Sequence, residues 1–115
     1  GMTLQSMIAM LEETGYPVAY DHFPREDQPD VPYIALRFTY SENYFSDDRV
    51  YKQLVYAEIE LCTRIKDTTA EKKLKEVLNN HDIAWQKTSE DYIEGDDEVF
   101  SVYYEFKTIY EEATE

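Results

Sequence analysis

Glycine, cysteine and long apolar runs are scarce in this sequence. Its three glycines, Gly1, Gly15 and Gly95, provide no glycine-rich loop to cradle a phosphate, which disfavours nucleotide binding of the familiar loop type. One cysteine, Cys62, excludes an internal disulfide, and its place inside a predicted strand marks it as a small buried or half-buried group. As a nucleophile it would need a base or a helix N-terminus to lower its pKa, whereas its neighbours on the same strand face are Glu60 and Arg64. His22 and His81 stand in loops with no metal-ligand spacing around them and read as surface or capping groups. No stretch approaches the roughly 18 apolar residues of a membrane span, and the N-terminus lacks a basic region followed by an apolar core. A soluble, unexported protein without membrane partners is expected. Gly1 ahead of Met2 reads as an expression scar.

What is abundant is acid and tyrosine. The 115 residues carry a formal charge of -14, yet 43% are hydrophobic and 15% aromatic, enough to offset chain entropy in one folded domain over residues 1–115. The charge is uneven. Residues 89–115 hold ten acids against the single cation Lys107, while residues 61–87 hold six cations against four acids. Such polarity would let identical subunits attract one another. The basic patch is too small for phosphate contacts, so sequence-specific nucleic-acid binding is not expected. Eleven tyrosines suit an assembling protein, because tyrosine joins a large apolar body to a polar tip. Tyr33, Tyr56 and Tyr103 all fall on outer strand faces in this reading.

Periodicity organises the chain. "TLQSMIAMLEET" spaces Leu4, Met7, Ile8 and Leu11 as one helical face, with Thr3 as N-cap and Gly15 just past the end. "YPVAY" starts a short strand, and all four prolines (Pro17, Pro24, Pro29 and Pro32) then punctuate a loop. "YIALRFTY" alternates, placing Ile34, Leu36, Phe38 and Tyr40 on one face. "SENYFSDDRVYKQ" reads as a polar loop over residues 41–53 with an unusual load of aromatics. In "VYAEIELCTR", Val55, Ala57, Ile59, Leu61 and Thr63 share one face. Period two puts Glu58 and Glu60 together on the other, wet side. Next comes a helix with Thr68 as N-cap and Glu71 in a capping box. Leu74, Val77 and Leu78 face in, Lys72, Lys73, Lys75 and Glu76 face out, and Glu71 is placed to meet Lys75. "IAWQK" is a short strand candidate. The acidic "TSEDYIEGDDE" turns around Gly95 into "VFSVYYEFKTIY", where Phe100, Val102, Tyr104 and Phe106 share a face, and residues 110–115 form a frayed acidic tail. The predicted fold class is α+β: a mainly antiparallel sheet of four to five strands with two helices packed on one face.

Two acidic groupings invite chemistry. A catalytic pair at Glu58 and Glu60 would need a pocket and dissimilar environments, whereas same-face neighbours on an open strand are solvated alike or face another subunit. Asp47 and Asp48 beside Asn43 lack the glycine and distal glutamate of a calcium loop and read as a polar loop. Neither metal nor cofactor is expected.

"GYPVAYDHF", "PYIALRF", "ENYFSDDRVY", "AEIELCTRIKDTTAEKKLKEVL" and a closing "YYEF", taken in that order, resemble the small head-tail joining or tail-completion (tail terminator) proteins of siphophages and prophages of Gram-positive hosts. The similarity runs over about residues 4–107 and is densest in "VYAEIELCTRIKD", where Cys62 stands in place of an expected aromatic residue. The resemblance implies a non-enzymatic α+β virion protein, working at the head-tail junction after assembly in the host cytoplasm. It would form a ring, often a hexamer, on the tail tube and meet the head connector. It also suggests tube or connector contacts for Tyr44 and Phe45 and a subunit contact for Lys72, Lys73 and Lys75. The rival from the charge alone is an acidic DNA mimic or inhibitory binding module, which would need carboxylates spaced like phosphates over a convex surface.

Overall fold

The computed structural model describes residues 1–46, 50–95 and 98–111, the side chains of residues 43–46 and 50–52 excepted. Helix α1 (Leu4–Glu12) begins where the sequence places it. Thr3 and Ser6 close a reciprocal cap: Ser6 N donates to Thr3 Oγ1 at 3.0 Å and Thr3 N to Ser6 Oγ at 2.9 Å, satisfying two of the donors a helix start leaves orphaned. Gly15 ends the turn at φ +88°, a conformation that favours glycine. Strand β1 (Val18–Tyr20) follows and pairs in parallel with β2 (Tyr33–Ser46), a connection that needs about a dozen residues to return the chain and uses residues 21–32. Strand β3 (Val50–Thr63), helix α2 (Thr68–Asn80), strand β4 (Gln86–Ile93) and strand β5 (Val99–Tyr110) complete an α+β fold with sheet order β1-β2-β3-β5-β4. Apart from the β1–β2 pair, the ladders are antiparallel.

Both helices lie on one sheet face, as expected. Met7, Met10 and Leu11 of α1 and Ala70, Leu74, Val77 and Leu78 of α2 join Ile34, Leu36, Val55, Ala57, Ile59, Leu61, Val102, Tyr104 and Phe106 in one buried cluster. Each fully buried Leu or Ile in it contributes roughly 1.5–3 kcal/mol relative to exposure. The opposite face has no helix over it among the described residues. The register puts Tyr33, Tyr56 and Tyr103 there, where the sequence reading had them.

Four details depart from expectation. A bulge between Phe38 and Tyr40 shifts the register by one, so Tyr40 opposes Tyr56 on the outer face, 54% exposed, instead of continuing the Ile34–Phe38 face. Residues 41–46 and 50–53, read as loop, continue β2 and β3, paired in register from Ser41↔Val55 to Ser46↔Val50; the polar run in "SENYFS" lacks the apolar alternation that marks a strand. Asp67, not Thr68, caps α2, accepting from Ala70 N at 3.0 Å, because its carboxylate reaches the same orphan N–H groups one residue earlier. Glu71 is consequently turned inward, 4% exposed, and does not pair with Lys75. Finally, β4 runs over Gln86–Ile93 and takes in acidic residues assigned to a turn, while Ile83 and Trp85 pack against the core from outside the strand.

Candidate functional site

The face without helices carries the closest grouping of polar chemistry. Cross-strand pairing sets Arg37 of β2 opposite Glu58 of β3, and Ala35, two residues earlier on the same face, opposite Glu60. The small Ala35 leaves room for the guanidinium to lie between both carboxylates. Arg37 Nη1 donates to Glu58 Oε1 at 2.8 Å and Nη2 to Glu60 Oε1 at 2.9 Å. Nη2 also donates at 2.8 Å to the carbonyl of Asp21, which the left-handed turn at Asp21 (φ +69°) presents to it. Glu60 Oε2 in turn accepts from Ser101 Oγ at 2.8 Å, Cys62 Sγ at 3.3 Å and Tyr103 OH at 3.4 Å. Both carboxylates do share a face, but it is not the wet face expected: their side chains are only 26% and 15% exposed.

This geometry determines what the pair can do. Burial pushes the Glu60 carboxyl up, but the donors from Ser101, Arg37 and Cys62 outweigh it and hold the group below its ordinary value, ionised at neutral pH. For Arg37 partial burial opposes the charge and the two carboxylates more than restore it. A general acid or base needs a proton held near the operating pH and room for a substrate. Here both oxygens of Glu60 and Oε1 of Glu58 are taken by protein donors, and the adjoining recess, lined in part by Asp21, His22, Tyr33 and Cys62, measures about 110 Å³. The trio is a brace tying β2, β3 and β5 together. Cys62 is 3% exposed, and burial together with the charge on Glu60 pushes its thiol up to about 12. We therefore expect Cys62 to react with a disulfide reagent at pH 8 at the rate of protein opening rather than of an accessible thiol; modification as fast as free cysteine would contradict this placement.

A second network joins α2 to β4. Lys66 Nζ lies 2.8 Å from Glu71 Oε2 and 3.1 Å from Oε1, Lys87 Nζ lies 3.7 Å from Oε1, and Tyr104 OH donates to Oε1 at 3.3 Å. Lys66 and Lys87 both bond Glu90. The Lys66–Glu71 Oε2 contact is poorly aligned for a hydrogen bond, so that oxygen is compensated by charge more than by a directed proton. The carboxylates of Glu71 and Glu90 raise Lys66 above the usual lysine range.

Sequence reasoning named Glu58 and Glu60 but missed Arg37, Ser101 and Lys66, whose roles depend on strand register. Of the lysines assigned to a subunit contact, Lys72 and Lys73 are exposed as expected, whereas Lys75 is half-buried. Lys73 Nζ stands 5.4 Å from the Tyr16 ring centroid and Lys75 Nζ 5.8 Å from that of Trp85. The structure does not bring them to Glu58 and Glu60, which lie on the opposite face of the sheet. Asp47, Asp48 and the side chains of Tyr44 and Phe45 fall outside the described residues. His22 Nδ1 pairs with Asp21 at 2.7 Å, and His81, at the C-cap of α2, pairs with Glu13 at 3.0 Å. Among the described residues no helix is long and apolar enough to cross a membrane. Compared with known proteins, the chain matches no family model, and no curated protein sequence matches it at a significant level.

Proposed function

We propose that this is a non-enzymatic phage structural protein that caps or completes the tail tube and joins it to the head connector, acting as a homo-oligomeric ring. Its place is the host cytoplasm during assembly and the head-tail junction of the virion afterwards. The observation that carries the reading is the shape of the sheet. β2 and β3 are 14 residues each and outrun their neighbours: β1 meets β2 only at Ile34–Leu36, and β5 reaches no further along β3 than Gln53. The resulting ribbon helps stretch the molecule to 52 × 30 × 22 Å, with a radius of gyration of 15.2 Å. A compact domain of about 100 residues has one near 13 Å. A protruding ribbon suits a part that reaches a neighbour. The negative charge suits the wall of a passage for DNA, where it repels phosphates, and the ionised, fully engaged Glu60 and the unreactive Cys62 suit a role without chemistry.

The test is direct. Purified protein mixed with uncapped tail tubes should appear by electron microscopy as a ring at one end of the tube, and in solution should sediment as a closed oligomer. Replacing Tyr44 and Phe45 together by Ala should leave the fold unchanged by circular dichroism and lower head-to-tail joining in a reconstitution assay by about tenfold or more, the loss expected on removing two aromatic anchors. Undiminished joining would remove the hairpin from the contact. A monomer that ignores tubes and instead captures a restriction or repair enzyme would mean the acidic-mimic function.

A further inference from the structure

β5 has a gap along its outer edge. β4 pairs with it from Val99 to Glu105 and stops there. Met2 takes up the same edge at Tyr110, donating its N–H to Ile109 O at 2.9 Å and accepting from Glu111 N at 2.8 Å. Lys107, between them, has no strand neighbour on that side among the described residues. The parity of the ladder says where its backbone points. Ile109 O and Glu111 N face Met2, and alternate residues of a strand face the same way, so the N–H and C=O of Lys107 face the gap. The other side of the ladder agrees: Tyr56, opposite Lys107, turns its carbonyl toward β2, where Thr39 Oγ1 donates to it at 3.3 Å.

The gap opens onto a recess of about 350 Å³ lined in part by Tyr56, Trp85, Gln86, Glu105 and Lys107. Trp85 is fixed there by its indole N–H, which donates to Asn79 Oδ1 at 2.8 Å, and by an edge contact to Tyr104 at 5.6 Å between centroids. Lys75 stands over its ring, and among the described residues no carboxylate pairs with Lys107. A free backbone donor and acceptor, an aromatic wall and a lysine in an acidic molecule are what an added strand bearing a carboxylate requires.

At the level of Lys107 the sheet is three strands wide, with Tyr40 of β2 and Tyr56 of β3 beside it. Its other margin there is the edge of β2, which beyond Leu36 has no β1 partner and carries the exposed Glu42. Two open edges thus lie at the same height on opposite margins. We infer that the β2 edge around Ser41–Asn43 of one copy pairs with the β5 edge at Lys107 of the next, placing Glu42 near Lys107 and making one sheet continuous across the contact. The contact is head to side, and repetition closes into a ring when the rotation per copy allows it. The inference rests on the ring proposed above.

Amide hydrogen exchange read residue by residue against protein concentration tests it. As the protein assembles, exchange at Lys107 and Ile109 should slow by about tenfold or more; equal rates in monomer and oligomer would overturn the pairing. K107P supplies the second arm, since proline is tolerated at a strand edge whose N–H faces outward. It should stay folded and monomeric at concentrations where the wild type and K107A sediment as oligomers. If K107P assembles like the wild type, the pairing is wrong and the ring stands. If the wild type is monomeric at every concentration, the ring fails and the pairing with it. Should K107P not fold, the exchange measurement on the wild type decides.

Discussion

Replacing Lys66 by Met is expected to cost about 2–3 kcal/mol of stability, read as a lower urea midpoint with an unchanged slope. The loss does not come from the exposed ammonium, which is 44% accessible, but from the carboxylate it leaves behind. The Glu71 side chain is 5% exposed, and Lys66 is its nearest cation, at 2.8 Å; among the described residues the other cation, Lys87, is 3.7 Å away and shared with Glu90. Removing one partner of a buried pair leaves the other desolvated and uncompensated, at about 3–5 kcal/mol when burial is complete. The residual Lys87 and the Tyr104 hydroxyl reduce that figure here. The same argument predicts that K66M combined with E71M recovers most of the loss, because an apolar pair of similar volume carries no charge to strand. A double variant as unstable as the single one would show that Glu71 is tolerated for its packing and not for its charge.

How much of this could be read from the chain depends on whether one side of an element is buried. β3 and β5 declared themselves because Val55, Ala57, Ile59 and Leu61, and Val102, Tyr104 and Phe106, all enter the core, and a strict period of two has no other physical source. α1 was legible for the same reason, down to Thr3. Legibility failed where both faces meet water. Every residue of β4 is exposed, so its sequence carries acid and no alternation, and an edge strand with charges reads as a turn. Beyond Tyr40 the polar run "SENYFS" hid the extension of β2 in the same way, since its sequence carries no apolar alternation. The bulge at Phe38–Tyr40 is invisible in composition, yet it decides that Tyr40 meets Tyr56 with ring centroids 5.5 Å apart. The polar brace was half legible. Period two alone unites Glu58 and Glu60; that Arg37 sits between them follows from the register of β2 on β3, a relation between residues some twenty apart that no local pattern encodes.

That brace supports the second large prediction. R37M should lose about 2 kcal/mol at pH 7, between the values for exposed and buried pairs, since Arg37 is 26% and Glu60 15% exposed. The pH profile separates this cause from lost packing. In the wild type the folded-state pKa of Glu60 lies below its ordinary value of 4.5, so its stabilisation is present above that pH and is lost as pH falls through the lower folded value. Without the guanidinium, burial and the neighbouring Glu58 are opposed only by the donors from Ser101, Cys62 and Tyr103, and the folded-state pKa moves above the unfolded one. Stability then changes in the opposite sense: R37M should gain on the wild type as pH falls from 7 toward 5, where the stranded Glu60 carboxylate takes up a proton. Chemical denaturation at pH 7, 6 and 5 reads the convergence. R37M curves parallel to the wild type at all three would mean that Arg37 acts through its aliphatic stem, and adding E60Q to R37M would then restore nothing, whereas the charge argument requires it to recover part of the loss at pH 7 and to flatten the pH dependence.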